Sequence, residues 1–250
     1  AAVCFSFFLE NHWRRAAFLT AASYGLAFIL ALFLRKPDSQ RAEKPSGKAR
    51  KLSLKLSPNV LCLVSPSFLL FLSSAGLLTE TRQYITVFLN QPQYIACGLS
   101  AGTIALLYIL TQIAGIISPW SDCLTKKFGI PLFSAGCFLC PALLCFVLAF
   151  THSPVCTAIC ILGIQSFVSL FQPLQSELQN REISTSRRAA ALSLQAMFLE
   201  LTSAALEPVF GYLAQKSLAF AFGAGGIFCT GGFLLFLLWY GNFFRKPSKV

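Results

Sequence analysis

Seven apolar runs of about 20 residues recur along this 250-residue chain, a pattern foreign to soluble domains. They lie over Ala16 to Leu34, Pro66 to Leu89, Tyr94 to Ile117, Ile130 to Phe150, Pro154 to Leu174, Ala189 to Tyr212 and Leu218 to Tyr240. At about 1.5 Å per residue, each is long enough as a helix to cross a hydrocarbon layer of about 30 Å. Lipid offers no partner to a backbone N–H or C=O, and the helix satisfies both internally. With 56% hydrophobic and 12% charged residues, the chain reads as an all-α integral membrane protein, a polytopic transmembrane helix bundle whose main partner is the lipid bilayer. Ala1 to Leu9 resembles the tail of a further span, and the chain opens on Ala, so the sequence reads as a fragment. The stub ends in Glu10-Asn11-His12 with no small-residue cleavage site, which does not fit a signal peptide.

Charge orients the bundle. The one long polar connector, Arg35 to Ser57, carries eight basic residues, and alternate loops add Lys126, Lys127, Arg181, Arg187, Arg188, Arg245, Lys246 and Lys249 on the same side. The opposite loops hold Arg14, Arg15 and Lys216. Basic loops stay in the cytoplasm, which puts the C-terminus inside. The net charge of +11 is thus topological and calls for no nucleic-acid partner. The expected organisation is a first segment 1–34, a basic cytoplasmic linker 35–57, a six-helix bundle 58–244 and a cytoplasmic tail 245–250.

Polar side chains sort the spans. Those over Ile130 to Phe150 and Leu218 to Tyr240 are nearly bare of hydrogen-bonding groups and read as lipid-facing. The span after Pro66 holds Ser73, Ser74, Thr79, Glu80, Thr81, Arg82 and Gln83, and the next holds Ser100, Thr103, Tyr108, Thr111 and Gln112. Gln165, Ser169 and Gln172 recur at helical spacing, so they share one face. Most of the ten cysteines fall inside spans as small core hydrophobes, and Cys137-x-x-Cys140 has neither a second pair nor a nearby His. Gly98 with Gly102, and Gly223, Gly225, Gly226, Gly231 and Gly232, suggest close helix packing. No phosphate loop, metal triad or nucleophile–base pair is visible, so neither catalysis nor a cofactor is expected.

The costly residues are the intramembrane charges. A carboxylate at mid-span costs about 2.5 to 3.5 kcal/mol on insertion scales and therefore faces a partner or a wet cavity. Ser193, Glu200, Ser203, Ala204, Glu207 and Gly211 fall on one helical stripe. Glu200, 12 residues past Arg188, sits about 18 Å in, while Glu207 lies farther out beside Pro208, a candidate kink. Arg82 is the one basic residue inside a span. Glu80, two residues away, is a poor partner within one helix, so the expected pair joins Arg82 to Glu207 or Glu200. The competing readings are that Glu80 and Arg82 snorkel to the outer interface and that Glu200 is a structural acid fastening helices together. A carboxyl group withdrawn from water favours its proton, and an approaching guanidinium favours the anion, so the pair could carry protons.

Several local patterns resemble the major facilitator superfamily of transporters. His12-Trp13-Arg14-Arg15-Ala16-Ala17-Phe18 looks like the W-R-x-x-F entry to that family's sixth helix. Pro119-Trp120-Ser121-Asp122 with Lys126-Lys127-Phe128-Gly129 looks like a degenerate copy of its basic loop between helices eight and nine, with spacing that departs from the stronger Gly-x-x-x-Asp-Arg form. Asn180 through Arg188-Ala189-Ala190-Ala191-Leu192-Ser193 is similar to the loop entering helix eleven, and Phe198-Leu199-Glu200 with Glu207-Pro208-Val209-Phe210-Gly211 looks most like uncharacterised fungal members. The resemblance implies the C-terminal half of the fold plus the preceding helix, with the N-terminal helix bundle missing. Helices seven, eight, ten and eleven would line a cavity, the same partition the polar side chains give. It also implies alternating-access transport of a small-molecule substrate, proton-coupled in the sharper form, and a gating loop at Asp122, Lys126, Lys127 and Arg188. The alternatives are a non-transporting remnant and a seven-helix receptor. The receptor fits the span count, yet the first connector is long and basic and neither D-R-Y nor N-P-x-x-Y occurs.

Overall fold

The structure is a computed structural model that describes residues 66–182 and 188–245, together with Ala21, Ala22, Tyr24, Gly25, Leu26 and Ile29. The chain divides into two units, Ala1–Ser57 and Pro58–Val250. In the first, the six described residues are helical and fall within the span expected over Ala16 to Leu34. The stub, the Trp13-Arg14-Arg15 motif, the basic linker and the tail beyond Arg245 lie outside the described residues.

The second unit is built from helices α1 (Pro66–Gln83), α2 (Asn90–Ala96), α3 (Ala101–Ala114), α4 (Ser121–Phe150), α5 (Pro154–Glu182), α6 (Arg188–Lys216) and α7 (Leu218–Arg245). A π-helical turn, Tyr84–Leu89, joins α1 to α2, and a 3-10 turn, Gly115–Trp120, joins α3 to α4. Three stretches among the described residues, Ala101–Phe150, Pro154–Arg181 and Leu218–Asn242, are long and apolar enough to cross a membrane. In the α1–α2 rod Glu80 and Arg82 lower the hydropathy.

Two expected breaks are placed differently. The span expected over Pro66 to Leu89 does not end at Leu89: the helix passes Pro92 through the π turn and stops at Ala96. A proline ring clashes with the carbonyl four residues back, and one extra residue per turn moves that carbonyl away. The widened turn is stitched by Thr86 Oγ1, which donates to Arg82 O at 2.9 Å, and Asn90 Nδ2, which donates to Thr86 O at 2.7 Å. Gly98, with φ 77°, is therefore a turn residue rather than half of a packing motif. Ser100 then caps α3 by accepting from Thr103 N at 3.3 Å.

The second correction concerns the expected basic loop at 119–129, which is helical almost throughout. The reversal is confined to Gly129, at φ 77° and ψ 158° inside α4. Only glycine adopts that combination readily. A Cβ there would meet nothing closer than Pro131 Cδ at 3.9 Å, so the obstacle to substitution is backbone strain and not crowding. Gly129→Ala is expected to lower stability by about 1 to 3 kcal/mol. Gly136→Ala, in the same helix with open space around it, should be neutral or slightly stabilising. Thermal denaturation of the two variants in detergent checks the contrast; equal melting temperatures would refute it. Elsewhere α5 runs past the expected end at Leu174 to Glu182, burying Gln175, Leu178 and Gln179, and α6 continues through Pro208 as one helix.

Two apolar clusters hold the rods together. One is aromatic, with Phe71, Phe138, Phe171, Phe236 and Trp239; the other centres on Tyr84, Ile161, Ile164, Phe210 and Phe222. Helix α7 packs on both α4 and α1. Its glycines make this possible: a Cβ at Gly225 would stand 3.1 Å from Thr81 Cγ2, and one at Gly232 would stand 3.2 Å from the Ser74 carbonyl oxygen. Gly223 and Gly231 face open space. The two spans expected to be lipid-facing are half so: α4 buries Phe138 and Cys145 and exposes Leu143 and Phe146, while α7 buries Phe236 and Trp239 and exposes Leu234 and Leu238. A helix with almost no polar group can bury one stripe in protein and leave the other to lipid at equal comfort.

Candidate functional site

The two apolar clusters leave a polar layer between them. On α1 it falls between Leu78 of one cluster and Tyr84 of the other, and on α5 between Ile164 and Val168. Glu80 lies 14 residues from the start of α1 and Glu200 12 residues from the start of α6, about 21 and 18 Å along their helices. Both are thus near the middle of a membrane-length rod.

Glu80 is buried, 7% exposed, and its Oε2 has no hydrogen-bond partner. Around it stand the Ser203 hydroxyl and the charges of Glu200, Arg82 and Glu207. Arg82 is half-buried; its Nη1 donates to Gln165 Oε1 at 3.3 Å, while its Nε is buried without a partner. Gln165 in turn donates from Nε2 to Ser169 Oγ at 3.4 Å. Both side chains pack where a Cβ on Gly115 would reach, 3.5 and 3.6 Å away, so the glycine lets the 3-10 turn close over them. On the far side, Ser203 Oγ donates to Glu207 Oε1 at 3.5 Å. Helix α6 reaches α1 at Gly76, where a Cβ would stand 3.2 Å from Thr202 Cγ2.

The expected ion pair between Arg82 and Glu207 or Glu200 does not form; among the described residues the ion pairs are Lys126–Asp122 and Arg181–Glu177. The guanidinium turns across to α5 and takes an amide oxygen, leaving three carboxylates near one another on the α1–α6 side. Nor does Glu80 snorkel into water: it is the most enclosed of the four charges, whereas Glu200 and Glu207 are exposed on α6. That arrangement depends on how each helix is rotated about its axis, which spacing along one helix does not reveal.

Of the other expected site residues, Gln165 and Ser169 join the layer, while Gln172 is exposed. Tyr108 is half-buried and Gln112 exposed on α3, and neither side chain has a hydrogen bond among the described residues. Asp122 and Lys126 form an exposed pair at 2.6 Å in the first turns of α4, and Lys127 lies 5.6 Å over the Phe128 ring, all apart from the layer. Exposed pairs of this kind hold little energy. Arg188 opens α6, with its side chain outside the described residues.

Sequence reasoning passed over the cavity beside the π turn. About 340 Å³ in volume, it is lined by Tyr84, Phe88 and Leu89 on one side and by Glu207, Phe210 and Gly211 on the other. Tyr84 stacks on Phe210 with centroids 4.7 Å apart and planes 6° from parallel. The available signal was Pro92 following Thr86 and Asn90 in an otherwise helical run, which marks a widened turn as readily as a break.

No curated protein and no solved structure matches the chain. The family model described as Major Facilitator Superfamily matches residues 1–204, more than three quarters of the sequence, and takes in Glu80, Arg82, Gln165 and Glu200. Among the described residues the fold is an all-helical bundle with three stretches long and apolar enough to cross a membrane, and the chain belongs to the Major Facilitator Superfamily, a family of secondary transporters of small solutes.

Proposed function

We propose that the protein is a proton-coupled transporter in which residues 66–245 form the C-terminal bundle and the layer around Glu80 carries the proton. The observation that carries this reading is a buried carboxyl oxygen with no donor, next to an arginine engaged elsewhere. At membrane depth such an oxygen must take a proton, a cation or the guanidinium. Arg82 can reach Gln165 in one state and the acids in another, so rocking of one bundle against the other changes which of the three it takes. Glu200, exposed on the same side and within the field of Glu80, is the relay toward the open face. The basic linker and the basic ends of alternate loops support a cytoplasmic C-terminus, with α7 as the last span.

The test uses the full-length protein in proteoliposomes, a panel of small solutes and a pH-sensitive dye in the lumen. Glu80→Gln and Glu200→Gln are expected to abolish accumulation driven by an imposed pH gradient while leaving exchange of substrate across the membrane intact. If both variants still concentrate substrate with unchanged pH dependence, the coupling assignment is wrong.

A further inference from the structure

The cavity beside the π turn has a chemistry of its own. One wall presents the exposed Phe88 ring with Tyr84 5.3 Å from it at 35°, and Tyr84 is backed by the fully buried Phe210, on which it stacks. Leu89 and Gly211 complete an otherwise apolar lining into which Glu207 brings the one carboxylate. That carboxylate has a single hydrogen bond, from Ser203 Oγ at 3.5 Å, and no cation pairs with it among the described residues. The charge nearby has the same sign: Glu80 senses Glu200 and Glu207 against only Arg82, three acids to one base. Arg82 is held by Gln165 on α5 and does not neutralise Glu207.

Aromatic faces attract cations through their quadrupole, and an apolar cavity with one acid favours a ligand that is greasy over most of its surface and positive at one point. A hydrated inorganic ion would find a single carboxylate and no carbonyl cage. An anion would meet a surplus of negative charge. A neutral solute would leave the carboxylate beside the rings without a counter-charge and forgo the attraction that a cation gains from both. We infer that the cavity between Tyr84, Phe88, Phe210 and Glu207 is a binding site for amphiphilic organic cations, the substrate class of the transporter. Gly211 adds no side chain to the α6 side of the cavity, and a Cβ there would meet nothing within 4 Å. This inference rests on the transport reading but leaves the identity of the proton carrier open.

The experiment is equilibrium binding of tetraphenylphosphonium to the purified full-length protein at fixed pH, with triphenylphosphine oxide as an uncharged comparison. The wild type is expected to bind the cation and to bind the oxide far more weakly. Glu207→Gln, isosteric and on an exposed position, should weaken cation binding about tenfold, and Phe88→Ala should weaken it several-fold. Size-exclusion profiles establish that both variants fold. Equal affinity for the oxide, or an unchanged affinity in Glu207→Gln, overturns the inference. The two proposals separate cleanly: loss of coupling in Glu80→Gln with intact phosphonium binding keeps both, whereas intact coupling without phosphonium binding defeats the cation site alone.

Discussion

Replacing Arg82 with alanine is expected, on the proton-coupled reading, to stop coupled transport outright, and to destabilise the bundle by about 1 to 3 kcal/mol, the cost of leaving buried polar groups unsatisfied. The guanidinium is the only positive charge among the four charges of the layer, and its removal frees the Gln165 amide and leaves Glu80, Glu200 and Glu207 facing one another. Lysine should restore part of the stability and little of the transport. It keeps the charge but presents a compact ammonium in place of the flat fork that donates to Gln165. The double variant Glu80→Gln/Arg82→Gln separates the two effects. With both buried charges gone, stability should return close to wild type while proton-driven accumulation stays absent. Unfolding in mixed micelles and accumulation in proteoliposomes read the two quantities. A double variant as unstable as Arg82→Ala would show that the arginine acts through packing and not through charge.

The second large effect is expected at Trp239. It is fully buried, 4.6 Å from the Phe71 ring and 5.5 Å from Phe236, at the centre of the aromatic cluster that ties α7 to α1. In a soluble protein, truncating such a residue to alanine costs about 3 to 5 kcal/mol, part of it the loss of burial from water and part the cavity left behind. Within a membrane the first part shrinks, because the side chain of a dissociated helix rests in lipid that is as apolar as the core. Lost packing persists in either solvent, so Trp239→Ala is expected to cost about 3 kcal/mol. Trp120→Ala, on an exposed ring, provides the comparison and should change little. A melting temperature for Trp239→Ala within a degree of that for Trp120→Ala would mean that the aromatic cluster is not what joins the two helices.

The sequence made the rods readable because membrane-spanning helices are specified locally, by about 20 residues of hydropathy at a time. The shared face of Gln165 and Ser169 and the all-helical architecture follow from counting along one helix. The end of the span expected over Pro66 to Leu89 was missed at Pro92 because proline ordinarily breaks a helix, and hydropathy does not register the extra residue of a π turn. The basic loop at 119–129 looked like loop because it is polar, yet one glycine at φ 77° performs the whole reversal and leaves its neighbours helical.

What the sequence alone determined was that the chain is built of apolar helical rods and that Gln165 and Ser169 share a face, since periodicity and hydropathy belong to single helices. Only the tertiary structure decided that Arg82 meets Gln165 rather than a glutamate, that Glu80 is the enclosed acid and that Tyr84, Phe210 and Glu207 share a cavity. Those facts depend on the rotation and spacing of helices about one another. Here these are set by close approaches at Gly76, Gly115, Gly225 and Gly232, each a meeting of side chains distant in sequence, which no local pattern encodes.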